Sequence, residues 1–433
     1  MKPYHDYKKQ LSTLLLIILL LAPFAFSYAQ TATEIQNQIS QKNADILQLE
    51  KEIANYQVQL NSLGQQKSSL NGSLKALDLT KKKLDADITI TQKKIDKTNF
   101  TIQNLSSDIN NKEDSITNNI ESIKLEIENM NEIEQTSLIE NILSNNDLAV
   151  VWDDVDNIIT VRERMRADII ILKQTKGVLE DTRKVTIDTK NELSKLKIQL
   201  SDQQKIVAQN TKEKNKLLSQ TKNNEANYQK LLKDRLAQKN AIEKELRDYE
   251  SQLKYILDPS KLPDAGVFSW PLDYVLITQL FGKTVDSKRL YVSGSHGGVD
   301  FRASVGTPVK AMASGIVAGV GDTDVQCPGA SFGKFVFIKY DNGLSGAFGH
   351  LSLVKARVGE RVERGTVVAY SGNTGYSTGP HLHVSVYAPN AAEVKNLPSK
   401  SCPGKSLTQP LAPINAYLDP MYYLPPTNSS MFK

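Results

Sequence analysis

Residues 246–271, LRDYESQLKYILDPSKLPDAGVFSWP, join two different kinds of chain. Up to Leu257 the stretch has helical periodicity. Pro259, Pro263 and Gly266 then fall within nine residues, 258–266, and a helix cannot run through them, because proline lacks the backbone donor and its ring clashes with the preceding turn. Tyr, Trp, Phe, Gly and Pro are sparse between Thr31 and Leu257 and dense after Pro259, whereas Gln, Asn, Lys, Ile and Leu dominate the earlier stretch. A two-part molecule follows: a helical region over 30–257, a short linker over 258–266, and a different architecture over 267–425.

Upstream of the junction, Ile39, Ile46, Leu49, Ile53, Tyr56, Leu60, Leu63, Leu70, Leu74, Leu77, Leu84, Ile88, Ile95, Ile102, Leu105, Ile109, Ile116, Ile120, Ile123, Ile127 and Met130 recur at steps of 3, 4 or 7. A seam kept up over about a dozen heptads predicts a coiled coil. A second run, from about Val155 to Leu257, carries a less regular seam through Leu172, Leu179, Leu193, Leu196, Leu200, Val207, Leu217, Tyr228, Leu246, Tyr249, Leu253 and Ile256. Two arms of similar length predict a long antiparallel coiled-coil hairpin, each arm about 140 Å at ~1.5 Å per residue. A parallel dimer of hairpins is compatible with the same seam. Between the arms, at about 132–156, Leu138, Ile139, Ile142, Leu143, Leu148, Val150, Val151 and Trp152 surround Ser144-Asn145-Asn146, which interrupts the helix. This tip either closes the hairpin upon itself or offers apolar surface to a membrane partner.

The first 29 residues set the compartment. Lys2, Lys8 and Lys9 precede an apolar run from Leu11 to Phe26, and Ser27-Tyr28-Ala29 is small at both cleavage-determining positions, so a secretory signal over 1–29 is expected. Retained, the same run would act as an anchor, and in both cases the remainder lies outside the cytoplasm. The formal charge of +5 divides into +2 on residues 1–29, −2 on 30–265 and +5 on 266–433. An excess this small fits a solvated surface or an anionic wall polymer, and does not indicate nucleic acid. Cys327 and Cys402 are the only cysteines, and an even pair in an exported chain predicts a disulfide.

Downstream, strands are expected at Pro308–Ala311, Gly315–Val320, Phe335–Tyr340, Leu344–Phe348, Val367–Tyr370 and His381–Tyr387, with Asp341-Asn342-Gly343 as a hairpin turn needing positive φ at Asn and Gly. An all-β domain results. The chain has five histidines; His5 lies in the leader, so the other four all fall between 296 and 383 of this domain. His381 and His383 sit two apart on one strand face, close enough to serve one site, one binding metal while the other handles protons. His296-Gly297-Gly298-Val299-Asp300 adds an imidazole and a carboxylate around a bend. Zn²⁺ suits two imidazoles and one carboxylate with a fourth position open to water.

His296-Gly-Gly-Val-Asp300, Gly349-His350-Leu351-Ser352 and Gly379-Pro380-His381-Leu382-His383 resemble the three signatures of the lysostaphin-like (LytM) peptidoglycan endopeptidases, metallopeptidase family 23. Phe268-Ser-Trp-Pro271, Phe281-Gly282, Gly306-Thr-Pro-Val309, Gly343 and Ser371-Gly-Asn-Thr-Gly375 extend the likeness over about Val267 to Ala388. The resemblance implies a LytM-type (duplicated hybrid motif) β domain, zinc held by His296, Asp300 and His383, and catalytic roles for His350 and His381 in cutting peptide cross-links of peptidoglycan. The sequence departs from the family pattern at Phe348, where an aromatic residue, often Tyr, is usual, and in two insertions, 322–331 and 390–409, which Cys327 and Cys402 are expected to tie together. The order of leader, hairpin and LytM domain is similar to that of cell-separation hydrolases recruited by an FtsEX-type membrane complex. This implies docking through the tip and a site closed by the hairpin until the partner moves. The alternative from the same family is a non-catalytic LytM-type activator of a cell-wall amidase.

Overall fold

The computed structural model describes residues 32–63, 69–134, 148–284, 287–288 and 294–432. The leader expected over 1–29, and residues 135–147 of the expected tip, lie outside that set. Four long helices come first: α1 (Ala32–Ser62), α2 (Leu70–Glu134), α3 (Leu148–Thr221) and α4 (Glu225–Gln252). No helix among the described residues is long and apolar enough to cross a membrane. Two compact units divide the chain, one taking residues up to Asn43 with Asp96–Asn191, the other Ala44–Ile95 with Glu192–Lys433.

In the first unit the end of α2 runs antiparallel to the start of α3, joined by Arg183 to Glu113 at 2.7 Å and Ser122 to Asp168 at 3.3 Å. Ile102, Leu105, Ile109, Ile116, Ile123 and Met130 of the heptad seam are half-buried there, whereas Ile120 and Ile127 of the same seam are exposed. In the second unit the seam reading needs correction. The first arm is not one helix, because α1 folds back antiparallel on α2: Asp45 pairs with Lys93 at 2.6 Å, and Leu60 and Leu63 pack with Leu79. The step of seven from Leu63 to Leu70 falls between the end of α1 at Ser62 and the start of α2 at Leu70.

The second arm is interrupted as well. Lys222 and Asn223 adopt positive φ, 50° and 53°, and α4 restarts behind Asn224, whose side chain accepts from the Asn227 amide. Two such residues in succession end a helix, since only glycine tolerates that region without strain. α4 stops at Gln252, five residues before the expected end. Residues 253–262 run over the sheet domain, where Tyr255 donates its hydroxyl to the Pro389 carbonyl at 2.9 Å and packs with Leu257 and Leu262 on a buried cluster.

Among the described residues the sheet domain holds twelve strands: β1 (Ile277–Gln279), β2 (Val299–Arg302), β3 (Pro308–Lys310), β4 (Gly315–Asp322), β5 (Lys334–Tyr340), β6 (Ser345–Val354), β7 (Arg361–Val362), β8 (Val367–Ser371), β9 (His381–Tyr387), β10 (Glu393–Ser399), β11 (Lys405–Leu411) and β12 (Tyr417–Leu418). The pairings between these strands are antiparallel, with a main path β1-β2-β9-β6-β5-β4-β7, and Ile277 of β1 adds one parallel bridge to Phe432. Alternate residues of the central strands face two cores: Val336, Ile338, Phe348, Val384 and Val386 enter the larger, Phe337, Ala347 and Tyr387 the smaller, as period-2 side-chain alternation requires. The β5–β6 turn differs from expectation in one respect. Among its residues only Gly343 has positive φ, 90°, so Asp341-Asn342-Gly343 is a three-residue loop closing on glycine, with Asn342 accepting from the Leu344 amide.

The 390–409 insertion forms most of the hairpin β10–β11. Cys402 at its turn is bonded to Cys327 of the other insertion, with Cα atoms 6.2 Å apart. This bridge, Ala330 and Leu407 form a cluster with Ile242 of α4, against which Leu246 packs. Glu245 accepts from the Lys400 and Ser401 amides at 2.7 and 2.9 Å and from the Ser399 hydroxyl at 3.1 Å. The insertions thus form the seat of α4.

Candidate active site

Three neighbouring strands position the histidines. Asp300 on β2 stands opposite His383 on β9, and His383 stands opposite Gly349 on β6. His296 precedes β2 and is held by a two-way backbone bridge to Gly282. The His383 Nδ1 atom lies 2.9 Å from Asp300 Oδ1 and 3.1 Å from His296 Nε2, and His296 Nε2 lies 3.3 Å from Asp300 Oδ1. All three side chains are nearly buried, and their ligand atoms lie within 4.8 Å of one another.

The protons on these rings are assigned by their outer contacts. His296 Nδ1 faces the Leu280 carbonyl at 3.1 Å and must donate to it, which leaves Nε2 as a lone pair. The Ser385 hydroxyl donates to the Gly297 carbonyl at 2.9 Å, so it can only accept from His383 Nε2 at 2.8 Å. His383 Nδ1 is then also a lone pair. Two nitrogen lone pairs and a carboxylate oxygen thus converge with no proton between them, an arrangement that repels unless a cation sits among them. The donor set and its outer hydrogen bonds fit zinc.

Burial opposes ionisation of Asp300, but the neighbouring His296, His381 and His383 outweigh it and hold the carboxyl well below the usual carboxylate range. Burial also pushes His383 down, against the attraction of Asp300. Gly298 makes the arrangement possible: a methyl there would strike the Val384 carbonyl oxygen and lie 2.8 Å from two His383 ring atoms.

His350 and His381 lie side by side, ring centroids 4.6 Å apart. His381 Nε2 faces Asp300 Oδ2 at 3.7 Å, while its Nδ1 donates to the Gly379 carbonyl at 2.7 Å. His350 Nδ1 donates to the Thr374 carbonyl at 2.9 Å, leaving Nε2 for chemistry. Burial, then the nearby His381 and His383, push His350 far below the ordinary imidazole range, so it is neutral at neutral pH. His350 also holds φ at 60°, a strained conformation for a residue with a Cβ. The Phe332 carbonyl fixes it by accepting from the His350 amide at 2.7 Å.

All five expected residues are therefore together. Ser385, Thr374 and Phe332, whose ring lies 5.6 Å from that of His383, were not foreseen. Ser385 was legible, two residues beyond His383 on the same strand face, whereas Thr374 and Phe332 come from loops whose path has no periodic signal. Phe348 is fully buried in the larger core, so that position serves packing. A cavity of about 250 Å³ adjoins the site, lined by His296, His350, His383 and Tyr376 on one side and by Lys239 and Glu243 of α4 on the other.

Residues 294–396 match the sequence profile of Peptidase family M23. The chain carries a domain of this family. A 90-residue stretch is 41% identical to the glycyl-glycine endopeptidase ALE-1 of Staphylococcus capitis, covering 21% of this chain and 24% of that protein. A 127-residue stretch is 35% identical to the DD-carboxypeptidase/endopeptidase Mpg of Neisseria meningitidis serogroup B, covering 29% and 28%. The catalytic domain of the antimicrobial peptidase lysostaphin from Staphylococcus simulans aligns at 28% identity over 34% of this chain and 90% of that chain, with a TM-score of 0.25. The chain spans about a quarter of the length of the curated relatives it matches.

Proposed function

We propose that the chain is an exported zinc endopeptidase that hydrolyses peptide cross-links of peptidoglycan during wall remodelling or daughter-cell separation, and that its helical region controls access to the site. The observation that carries this reading is the convergence of His296, Asp300 and His383 through three proton-free ligand atoms, with His350 and His381 beside them. The endopeptidase names of the relatives support peptide-bond cleavage, and the motif likeness supports peptidoglycan as the polymer.

Zinc held by His296, Asp300 and His383 would acidify a water molecule and polarise the scissile carbonyl. The other steps belong to the chain. His350, neutral and with Nε2 free, accepts the proton lost as water attacks. His381, whose Nδ1 proton is committed to the Gly379 carbonyl, turns Nε2 to the carbonyl oxygen and stabilises the negative charge there when that nitrogen carries a proton, and His350 passes the proton it took to the departing amine nitrogen. Ser385 and the Leu280 carbonyl hold the ligand rings in the required tautomers.

Export is supported by the leader expected over 1–29, which would direct the chain to or beyond the cell envelope. Control by the helices is supported by α4, which lines the cavity and is seated by Glu245, Ile242 and the disulfide-linked insertions. In this reading the region between α2 and α3 engages an FtsEX-type membrane complex, whose movement draws α4 away.

The deciding experiment measures bound zinc and digests purified peptidoglycan with the full chain, with Ile242→Asp to unseat α4, and with His296→Ala or His381→Ala added to it. The unseated chain should release peptide fragments. His296→Ala should lose the metal, and His381→Ala should keep it while activity falls about 10²–10⁴-fold. A zinc-loaded, unseated chain that yields no product would overturn the hydrolase reading in favour of an amidase activator.

A further inference from the structure

Lys239 of α4 projects into the catalytic cavity. It is 4% exposed, and its ammonium lies 3.7 Å from the centroid of the Tyr376 ring. Tyr376 belongs to the 371–380 loop, the same loop whose Thr374 carbonyl orients His350. A buried ammonium is costly unless its surroundings replace water, and here an aromatic face and Glu243, 3.4 Å away on α4 itself, do so. Gln409 of β11 lines the same cavity, and its Oε1 is buried with no hydrogen-bond partner. An orphaned acceptor of this kind is unfavourable in a closed protein, and an N–H donor from a ligand would satisfy it.

We propose that Tyr376 and Gln409 form a subsite for a primary ammonium group of the substrate peptide, and that Lys239 covers its ring face in the closed state as an intramolecular stand-in, leaving the Gln409 acceptor unmet. The ring supplies the cation-binding face and the amide oxygen supplies the acceptor. Withdrawal of α4 removes Lys239 and Glu243 together and leaves the ring face and the acceptor to the substrate. The catalytic consequence rests on the peptidase reading of the cavity; the binding of an ammonium group does not. Either a side-chain amine or a chain-terminal amine has this chemistry.

Chemical rescue in the full chain tests the binding. Lys239→Ala should raise amide hydrogen exchange along α4 about 5- to 30-fold, the range expected for a desolvated cation–π contact. n-Butylammonium should restore protection if the ligand is a side-chain amine, and glycinamide if it is a terminal one, while n-butanol should not. Adding Tyr376→Leu should abolish the restoration, and Lys239→Met, which fills the space without charge, should not respond to amines. Restoration by n-butanol as good as by either amine, or by none of the three, overturns the proposal. In the Ile242→Asp background, Tyr376→Leu should lower kcat/KM on peptidoglycan with free amines about 5- to 30-fold and leave amine-acetylated peptidoglycan nearly unaffected. Equal losses on both substrates remove the subsite. Amine rescue without any hydrolysis removes the peptidase reading and leaves the subsite standing.

Discussion

The helices of the two compact units are composed alike, of Gln, Asn, Lys, Ile and Leu, yet they bury different things. In the first unit the α2 seam from Ile102 to Met130 is no more than half-buried, and Ile187 of α3 stays 60% exposed. Where α2 and α3 also meet α1 and the sheet domain, Leu84 and Ile206 are 1% exposed and form a cluster with Tyr370 of β8. Polar groups are buried there too: Asp202 accepts from the Tyr370 hydroxyl at 3.2 Å, and Asn210 donates to the Leu77 carbonyl at 2.9 Å. Heptad spacing thus tells which residues are apolar, and the number of neighbours decides how deep they go.

The contrast can be broken most directly by equal substitutions in the two settings. Ile206→Ala should cost about 2–5 kcal/mol, because it leaves a cavity between helix and sheet that cannot collapse. Ile187→Ala, at an exposed position, should change stability by less than about 0.5 kcal/mol. Denaturant unfolding of both variants measures the difference, and equal costs would mean that the sheet domain adds nothing to helix burial.

A second test uses pH. Burial pushes the Glu250 carboxyl of α4 up to about 7, opposed by the Tyr417 hydroxyl at 2.6 Å, the Ala412 amide and Arg247; the Tyr387 phenol also faces it. A raised carboxyl means that seated α4 holds the proton more tightly than free α4. Its contribution is therefore full below the ordinary Glu value of 4.5 and is lost as pH rises to about 7, a change on the order of 3 kcal/mol. Corrected for the intrinsic base-catalysed rate, hydrogen exchange along α4 should rise between about pH 4.5 and 7 in the wild type and stay flat in Glu250→Gln. The α2–α3 pair of the first unit should show no such dependence.

Two glycines give the smallest but cleanest pair. At Gly298 a methyl group meets His383 and the Val384 carbonyl, whereas at Gly177 of α3 it meets nothing within 4 Å. Gly298→Ala should weaken zinc binding about 10- to 100-fold in a chelator titration. Gly177→Ala should raise stability by about 0.5–1 kcal/mol, as expected for an open helical position. Unchanged zinc affinity in the first variant would show that His383 has room to shift.

The core strands β3 to β6, β8 and β9 could be located from alternation, and the five site residues from their motifs. Neither the fold-back of α1 nor the α4 seat was legible in the same way. The count of heptads runs unbroken from α1 into α2, and the seat joins residues 238–250 to insertions 322–331 and 390–409 through single contacts such as Glu245 with the Lys400 amide. Thr374 and Phe332 escaped for the same reason, since their contacts come from loop geometry.

By itself the sequence determined the division into helical and sheet parts and the identity of the residues at the metal-binding cluster. Both follow from local period and from chemistry concentrated in a few side chains. Only the tertiary structure decided which lone pairs converge, that His350 is held at positive φ, and that Lys239 sits on Tyr376. These depend on register between distant strands and on the close approach of a helix to a loop, and a fraction of an ångström there separates a ligand set from three unrelated side chains.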